Sequence, residues 1–155
     1  MYSIVLVLIL LIIDQISKYI VAKSLDVSQS IPVIKDFFHI TYVQNRGIAF
    51  GMFQGRLNIV TIISVFAAIF IFYYIFKNRD KLTKISLYSY LFIFSGAVGN
   101  ILDRLIRQYV VDFIDFRGIW QYIFNFADVY INIGVILMII EYILEEKKKR
   151  QEESK

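Results

Sequence analysis

The amino-acid sequence predicts an α-helical integral membrane protein with four transmembrane helices and a small strand-forming segment on one side of the membrane. Two observations carry this prediction: 58% of the 155 residues are hydrophobic, and the 17 basic and 13 acidic residues are sparse in four long stretches. Soluble globular chains are about 45–50% apolar, so this content is too high for most of them and for disordered chains. The lack of cysteine excludes a disulfide scaffold, a cysteine nucleophile and a thiolate metal site. The length suits one domain, residues 1–155.

The four apolar stretches are each long enough to cross a membrane, because a hydrocarbon core of about 30 Å needs about 20 helical residues. We predict spans at residues 3–22, 57–76, 85–104 and 125–144, followed by a tail at 145–155. The first span could also be a cleaved signal peptide. It lacks a basic leading region and carries Asp14 and Lys18 in its apolar stretch, so we expect an uncleaved helix.

A polar segment of some thirty residues, about 24–55, separates the first two spans. Phe38, Ile40 and Tyr42 alternate with other side chains as in a strand. Because an open sheet edge cannot lie in lipid, we expect this segment at the outer interface, capping the helices. Gly47, Gly51 and Gly55 also match the small-xxx-small pattern by which membrane helices pair. They lie outside the spans and among polar residues, so we reject a role in helix pairing for them.

The basic residues predict the orientation of the chain, since loops rich in Lys and Arg stay in the cytoplasm. The loop 77–84 and the tail 145–155 hold nine basic residues in 19 positions, whereas segments 23–56 and 105–124 hold six in 54. Both termini are therefore expected in the cytoplasm. We interpret the basic tail as a topogenic segment facing anionic lipid, and we expect no nucleic-acid partner despite the net charge of +4.

With this topology, the ionisable groups in or near the spans converge on the outer side. Such groups are costly in a membrane and are usually paired or functional. The first and third helices run outward and the fourth runs inward, which predicts one outer polar site containing Asp14, Lys18, Asn100, Asp103, Arg104, Asp112 and Asp128.

Purely structural interpretations exist for two pairs in this set. Asp14 and Lys18 are spaced i,i+4 in the favourable acid-first order, so they could simply neutralise each other. Asp103 and Arg104 could form a pair at the end of a helix, reaching toward the interface. Either pair would then support the fold without touching a substrate.

Three further residues differ in how well a structural role explains them. Asn125 and Asp128 resemble a capping box at the start of the fourth helix. Asp112 lies in a short outer loop among apolar neighbours, where a solvated acid has no reason to be. His39 is a lone histidine in the expected strand and is more simply a surface or hydrogen-bonded side chain than a ligand.

Two carboxylates held close in a partly apolar place cannot both ionise, so they share a proton. The charged member can then act as a general base on water, and the protonated member can polarise a carbonyl and supply a proton. Asp112 and Asp128, 16 residues apart, are the expected pair. The sequence contains no metal-ligand spacing and no serine-nucleophile motif, so we expect neither a metal nor another cofactor.

Five motifs occur in order along nearly the whole chain: DQISK at 14–18, NRGIAFG at 45–51, GNILDR at 99–104, VVDFIDF at 110–116 and FNFAD at 124–128. In these motifs the chain resembles the bacterial lipoprotein signal peptidases, or signal peptidase II. The resemblance implies a four-helix membrane aspartyl endopeptidase with a small outer sheet cradle. Such an enzyme removes the signal peptide of diacylglyceryl-modified prolipoproteins just before the lipidated cysteine.

The resemblance also implies roles for particular residues. The catalytic pair would be Asp112 and Asp128. Substrate would be lined or oriented by Asn45, Asn100, Arg104 and Asn125. The polar site would be supported by Asp14, Lys18, Asp103, Gly47 and Gly99. Two departures from the family pattern, Arg46 and Val129, put in doubt the substrate preference near the mouth and a hydroxyl contact at a helix start.

The expected setting is the bacterial cytoplasmic (inner) membrane, with the active site at the outer leaflet and with prolipoproteins and membrane lipid as partners of a monomer. Two other classes stay open. A small proton-coupled exporter predicts carboxylates near mid-membrane or an inverted repeat, and the sequence shows neither. A non-catalytic assembly factor predicts that replacing Asp112 or Asp128 by asparagine leaves function intact.

Overall fold

The computed structural model describes residues 2–47 and 57–153. Within these residues the chain forms four helices and three strands. All four helices are long and apolar enough to cross a membrane, which confirms the predicted fold class. The helices are α1 (Tyr2–Ser24), α2 (Leu57–Asn78), α3 (Lys84–Arg107) and α4 (Phe126–Glu153). The strands are β1 (Ser30–Ile34), β2 (Phe38–Asn45) and β3 (Val110–Phe116).

The outward face of α2 is apolar. In α2, Val60 and Ala68 are the buried residues, while Phe66 and Phe70 are about two-thirds exposed. A helix that is hydrophobic on all sides belongs in a protein core or in a membrane. Since these aromatic side chains do not pack inside the protein, the helix surface is suited to lipid.

Small residues let α3 and α4 pack closely. A side chain at Gly134 of α4 would place its Cβ 2.7 Å from the Ser89 carbonyl oxygen, and one at Gly96 of α3 would collide with the Ala127 carbonyl oxygen. The Ser89 hydroxyl also donates to the Gly134 carbonyl at 2.9 Å. Close backbone approach at small residues is typical of membrane helices, because lipid provides no hydrophobic force between them.

The three strands form an antiparallel sheet in the order β1-β2-β3, with β2 in the centre. The predicted strand around residues 38–42 is thus present. Asp112, expected in a loop, lies in β3 opposite Val43 of β2. Valine and phenylalanine neighbours favour a strand, and pairing with β2 satisfies the backbone of a segment that is too short to predict alone.

An apolar cluster holds the sheet against the end of α1. Its buried members are Val21, Leu25, Tyr42, Val111, Phe113 and Ile114. Phe124 joins β3 through reciprocal backbone hydrogen bonds with Ile114, at 2.7 and 3.1 Å. This bridge brings the residues that precede α4 back beside β3, and so determines where α4 begins relative to Asp112.

Candidate active site

The polar residues singled out in the sequence meet at one end of the helix bundle, where the sheet packs; we call this the sheet end. They come from α1, β2, α3, β3 and α4, so distant segments of the chain form one site. Asn45 and Asp128 are half-buried. The buried members are Asp14, Lys18, Asn100, Asp103, Arg104, Asp112 and Asn125.

Asp112 projects from β3 into a setting that favours its protonated form. Its side chain is 2% exposed, Oδ1 accepts a hydrogen bond from Asn125 Nδ2 at 2.6 Å, and Oδ2 accepts one from Asn45 Nδ2 at 2.8 Å. Burial raises the pKa of Asp112 to about 7, and the negative charge of Asp128 adds to the effect. A carboxyl group with a pKa in this range can serve as a general acid at neutral pH.

Asp128 lies in the first turn of α4 and makes a reciprocal contact with Asn125. The Asp128 N–H donates to Asn125 Oδ1 at 3.0 Å, and the Asn125 N–H donates to Asp128 Oδ2 at 3.3 Å. This is the geometry of a capping box. Asn100 Nδ2 donates to the other oxygen, Oδ1, at 2.8 Å. Asn125 thus caps α4 and also holds Asp112, so one residue joins the two carboxylates.

Gly47 connects Asn45 and Arg104 at the end of β2. Its N–H donates to Asn45 Oδ1 at 2.9 Å, which turns the Asn45 amide nitrogen toward Asp112. Its carbonyl accepts from Arg104 Nη2 at 3.4 Å. The buried Nε of Arg104 has no hydrogen-bond partner among the described residues. The guanidinium also lies within electrostatic range of Asp112 and Asp128.

The predicted Asp14–Lys18 pair is present, with Asp14 Oδ2 2.9 Å from Lys18 Nζ. The suggested Asp103–Arg104 pair is not the arrangement found. Asp103 forms ion pairs with Lys18, at 3.4 Å, and with Arg107, whereas Arg104 turns toward Gly47. Neighbouring residues of a helix point in different directions, while residues four apart share a face, which explains the choice of Arg107.

Sequence reasoning missed two members of this network, Gln15 and Arg107. Gln15 Nε2 lies 3.1 Å from Asp14 Oδ2 and 3.2 Å from Asp103 Oδ1, and Gln15 Oε1 accepts from Arg107 at 3.1 Å. The i,i+4 spacing of Asp103 and Arg107 is a signal that could have revealed the second. Gly99 leaves room for this packing, because a Cβ there would lie 2.6 Å from Asp14 Oδ2.

His39 lies apart from this network, on β2 opposite Asp115. It is buried, and its Nδ1 is 3.2 Å from the Ser30 hydroxyl. Across the part of the chain that the structure describes, no three His, Cys, Asp or Glu side chains lie together in a group that could hold a metal.

The two departures from the family pattern, Arg46 and Val129, lie beside β2 and at the start of α4. Arg46 is exposed beside Asn45, and Val129 packs against the apolar cluster under the sheet. The rest of the NRGIAFG motif, residues 48–51, lies outside the described residues, as does Gly55 of the rejected glycine pattern.

Comparison with known proteins matches the model of the signal peptidase II family to residues 6–144. A lipoprotein signal peptidase from Fusobacterium nucleatum subsp. nucleatum is 57% identical over 150 residues, covering 97% of this chain and 91% of the relative. One from Clostridioides difficile is 42% identical, covering 94% and 98%. A bacterial membrane enzyme solved by the in meso method at 2.3 Å is 35% identical, with a TM-score of 0.88 and coverage of 96% and 91%. The resemblance seen in the sequence is confirmed: the chain belongs to the signal peptidase II family.

Proposed function

We propose that this protein is a membrane aspartyl endopeptidase that cleaves the signal peptide from diacylglyceryl-modified prolipoproteins immediately before the lipidated cysteine. The family and its named relatives support lipoprotein precursors as the substrate class. The catalytic type rests on one observation: Asp112 and Asp128 are joined through Asn125, and each carboxylate oxygen accepts a hydrogen bond.

In the proposed reaction, Asp128 begins ionised and Asp112 begins protonated. Asp128 removes a proton from a water molecule as the water oxygen attacks the scissile carbonyl carbon, while Asp112 gives its proton to the carbonyl oxygen. As the tetrahedral intermediate collapses, Asp112 takes back a hydroxyl proton and Asp128 protonates the leaving nitrogen. One water is consumed, and both aspartates return to their starting states.

The surroundings of the two aspartates support this division of roles. Asp112 is buried in a strand, and its pKa of about 7 lets it keep a proton at neutral pH. Asp128 occupies the first turn of α4, where the helix dipole favours a negative charge. A pair with such different environments provides one acid and one base.

Arg104 and three asparagines are the proposed substrate contacts. Arg104 keeps its Nε free of partners among the described residues, and this donor is available to a peptide carbonyl. Asn45, Asn100 and Asn125 already contact the carboxylates, so they orient the reacting groups. All of these groups come from one chain, and we propose the monomer as the catalytic unit.

The membrane setting matches this substrate. We place both termini in the cytoplasm, because loop 77–84 and the tail 145–155 hold nine of the 17 basic residues. The sheet end then lies at the outer leaflet of the bacterial inner membrane. A diacylated cysteine is held in that leaflet, so the bond preceding it reaches the site at interface depth, where water is also available.

In the test, purified protein in detergent is incubated with a diacylglyceryl-prolipoprotein, and release of the signal peptide is measured. We expect cleavage by wild type and a loss of at least about 100-fold in Asp112→Asn and Asp128→Asn. The matched control is Asp36→Asn, an exposed aspartate in the β1–β2 turn whose φ of 60° asparagine also tolerates. Cleavage at the wild-type rate by Asp112→Asn or Asp128→Asn would refute the proposal, and so would a folded wild type that does not cleave.

A further inference from the structure

A buried lysine is connected to Asp128 through a single amide. Lys18 is 0% exposed, and its Nζ donates to Asn100 Oδ1 at 2.9 Å. Asn100 Nδ2 in turn donates to Asp128 Oδ1 at 2.8 Å. The carboxylate of α4 is therefore linked to a charge on α1 by a side chain of α3.

The ammonium determines which group donates in each of these hydrogen bonds, because it can donate hydrogen bonds but cannot accept them. Its three N–H groups face Asp14 Oδ2 at 2.9 Å, Asp103 Oδ2 at 3.4 Å and Asn100 Oδ1 at 2.9 Å. If the Asn100 amide were flipped, its NH₂ group would face the ammonium and its oxygen would face Asp128. Both contacts would be repulsive, so the amide nitrogen must point to Asp128.

The other two asparagines of the site are oriented differently. Asn45 Oδ1 accepts from the Gly47 N–H, and Asn125 Oδ1 accepts from the Asp128 N–H. These are backbone donors, which side-chain substitution does not remove. Of the three amides, Asn100 is the one whose orientation depends on another side chain.

We propose that Lys18 is a positioning residue of the catalytic pair: by orienting the Asn100 amide, it keeps a donor on Asp128 and so maintains Asp128 as the unprotonated general base. This inference rests on the proposed function and assigns a specific task to a residue whose role implied by the family resemblance is structural support. The charged groups around Asp128 that enter any pH effect are Asp14 and Lys18 of α1, Asp103 and Arg104 of α3, and Asp112 of β3.

The test must remove the ammonium without leaving an unpaired charge. Lys18→Met combined with Asp14→Asn keeps the net charge, and Asp103 still has Arg107 as a partner. Asp14→Asn alone is the matched control, since it retains the contact between Lys18 and Asn100. A second pair, Lys18→Leu with Asp14→Asn, likewise offers no donor to Asn100 and serves if the Met variant does not fold.

We expect the double variant to lose about 10- to 100-fold in kcat, the effect of one hydrogen bond to a charged group, with KM changed less than about threefold. The acidic limb of its kcat profile moves to higher pH, because the ionised form of Asp128 has lost a donor. Both readouts are taken relative to the Asp14→Asn control, because that substitution itself removes a negative charge near Asp128. Rates are corrected for the folded fraction, which is measured by thermal unfolding in detergent.

A merely structural role for Lys18 gives a different result. Activity then falls with the folded fraction and the pH profile does not move; this outcome, or a wild-type kcat, overturns the inference. Failure of the proposed function is distinguishable, because wild type then does not cleave or Asp128→Asn cleaves normally. If cleavage still requires Asp128 but the Lys18 variant keeps its kcat and its pH profile, only the proposed role of Lys18 is refuted.

Discussion

Replacing Asp112 by asparagine is expected to remove a pH-dependent loss of stability. Asp112 has a pKa of about 7 in the folded protein, raised by burial and then by the charge of Asp128, against about 3.9 for an aspartate in an unfolded chain. Between these values the folded protein holds a proton that the unfolded chain has released. Stability from this group is therefore complete below about pH 4 and is lost as the pH rises through 7.

The magnitude follows from linkage. Each pH unit in this window costs about 1.4 kcal/mol, and the slope flattens near pH 7, so wild type loses about 2 kcal/mol of unfolding free energy between pH 5 and 7. Asparagine cannot ionise and shows no such loss. It also replaces one acceptor by an NH₂ group that faces the amide of Asn45 or Asn125, which costs about 1–3 kcal/mol at every pH.

The assay is thermal unfolding in detergent micelles at several pH values from 5 to 8, with Asp36→Asn as the control. Because the amide mismatch is independent of pH, the relevant quantity is the change in the Tm difference between wild type and Asp112→Asn. We expect it to shift by about 4–8 °C in favour of the variant, on the scale of soluble domains of this size. A Tm difference that stays constant from pH 5 to 8 would refute the burial argument, and so would an equal shift in the control.

Three further substitutions or treatments test the supporting network. Asp14→Ala should destabilise the protein by about 3–5 kcal/mol, because it removes a partner of the buried Lys18 ammonium; a well-folded but inactive variant in thermal unfolding and cleavage assays would contradict this. Gly99→Ala should lower stability by about 1–3 kcal/mol, since the new Cβ would lie 2.6 Å from Asp14 Oδ2, and an unchanged Tm would show that the helices separate without cost. EDTA should leave the cleavage rate unchanged, and inhibition that zinc reverses would refute the metal-free mechanism.

The helices and the position of the polar groups could be predicted because hydropathy and helix direction are properties of local sequence. The Asp14–Lys18 pair was visible for the same reason, as its members lie one helical turn apart. The second partner of Lys18, Asp103, lies 85 positions away and depends on how α1 packs on α3. Gln15 was missed because a single neutral amide in an apolar helix does not disturb the charge pattern that located the site.

The strand position of Asp112 could not be read from its own segment. A seven-residue segment between two long helices can form a loop or a strand. Which of the two forms depends on pairing with β2, which lies some seventy residues earlier. A strand alternates its side chains between two faces, so pairing with β2 determines that Asp112 points toward Asn45 and Asn125. Burial, and hence a pKa near 7, follows from that pairing and not from the residue itself.

The structural and catalytic interpretations of Asn125 and Asp128 do not compete. A capping box needs a side chain that accepts from the N–H of the third helical residue, and Asn125 meets this need with its oxygen. The same contact leaves the amide nitrogen free to hold Asp112. A serine or aspartate cap would also satisfy α4 but would offer no NH₂ group to the second carboxylate. Asparagine at position 125 therefore serves both the start of α4 and the pair of aspartates.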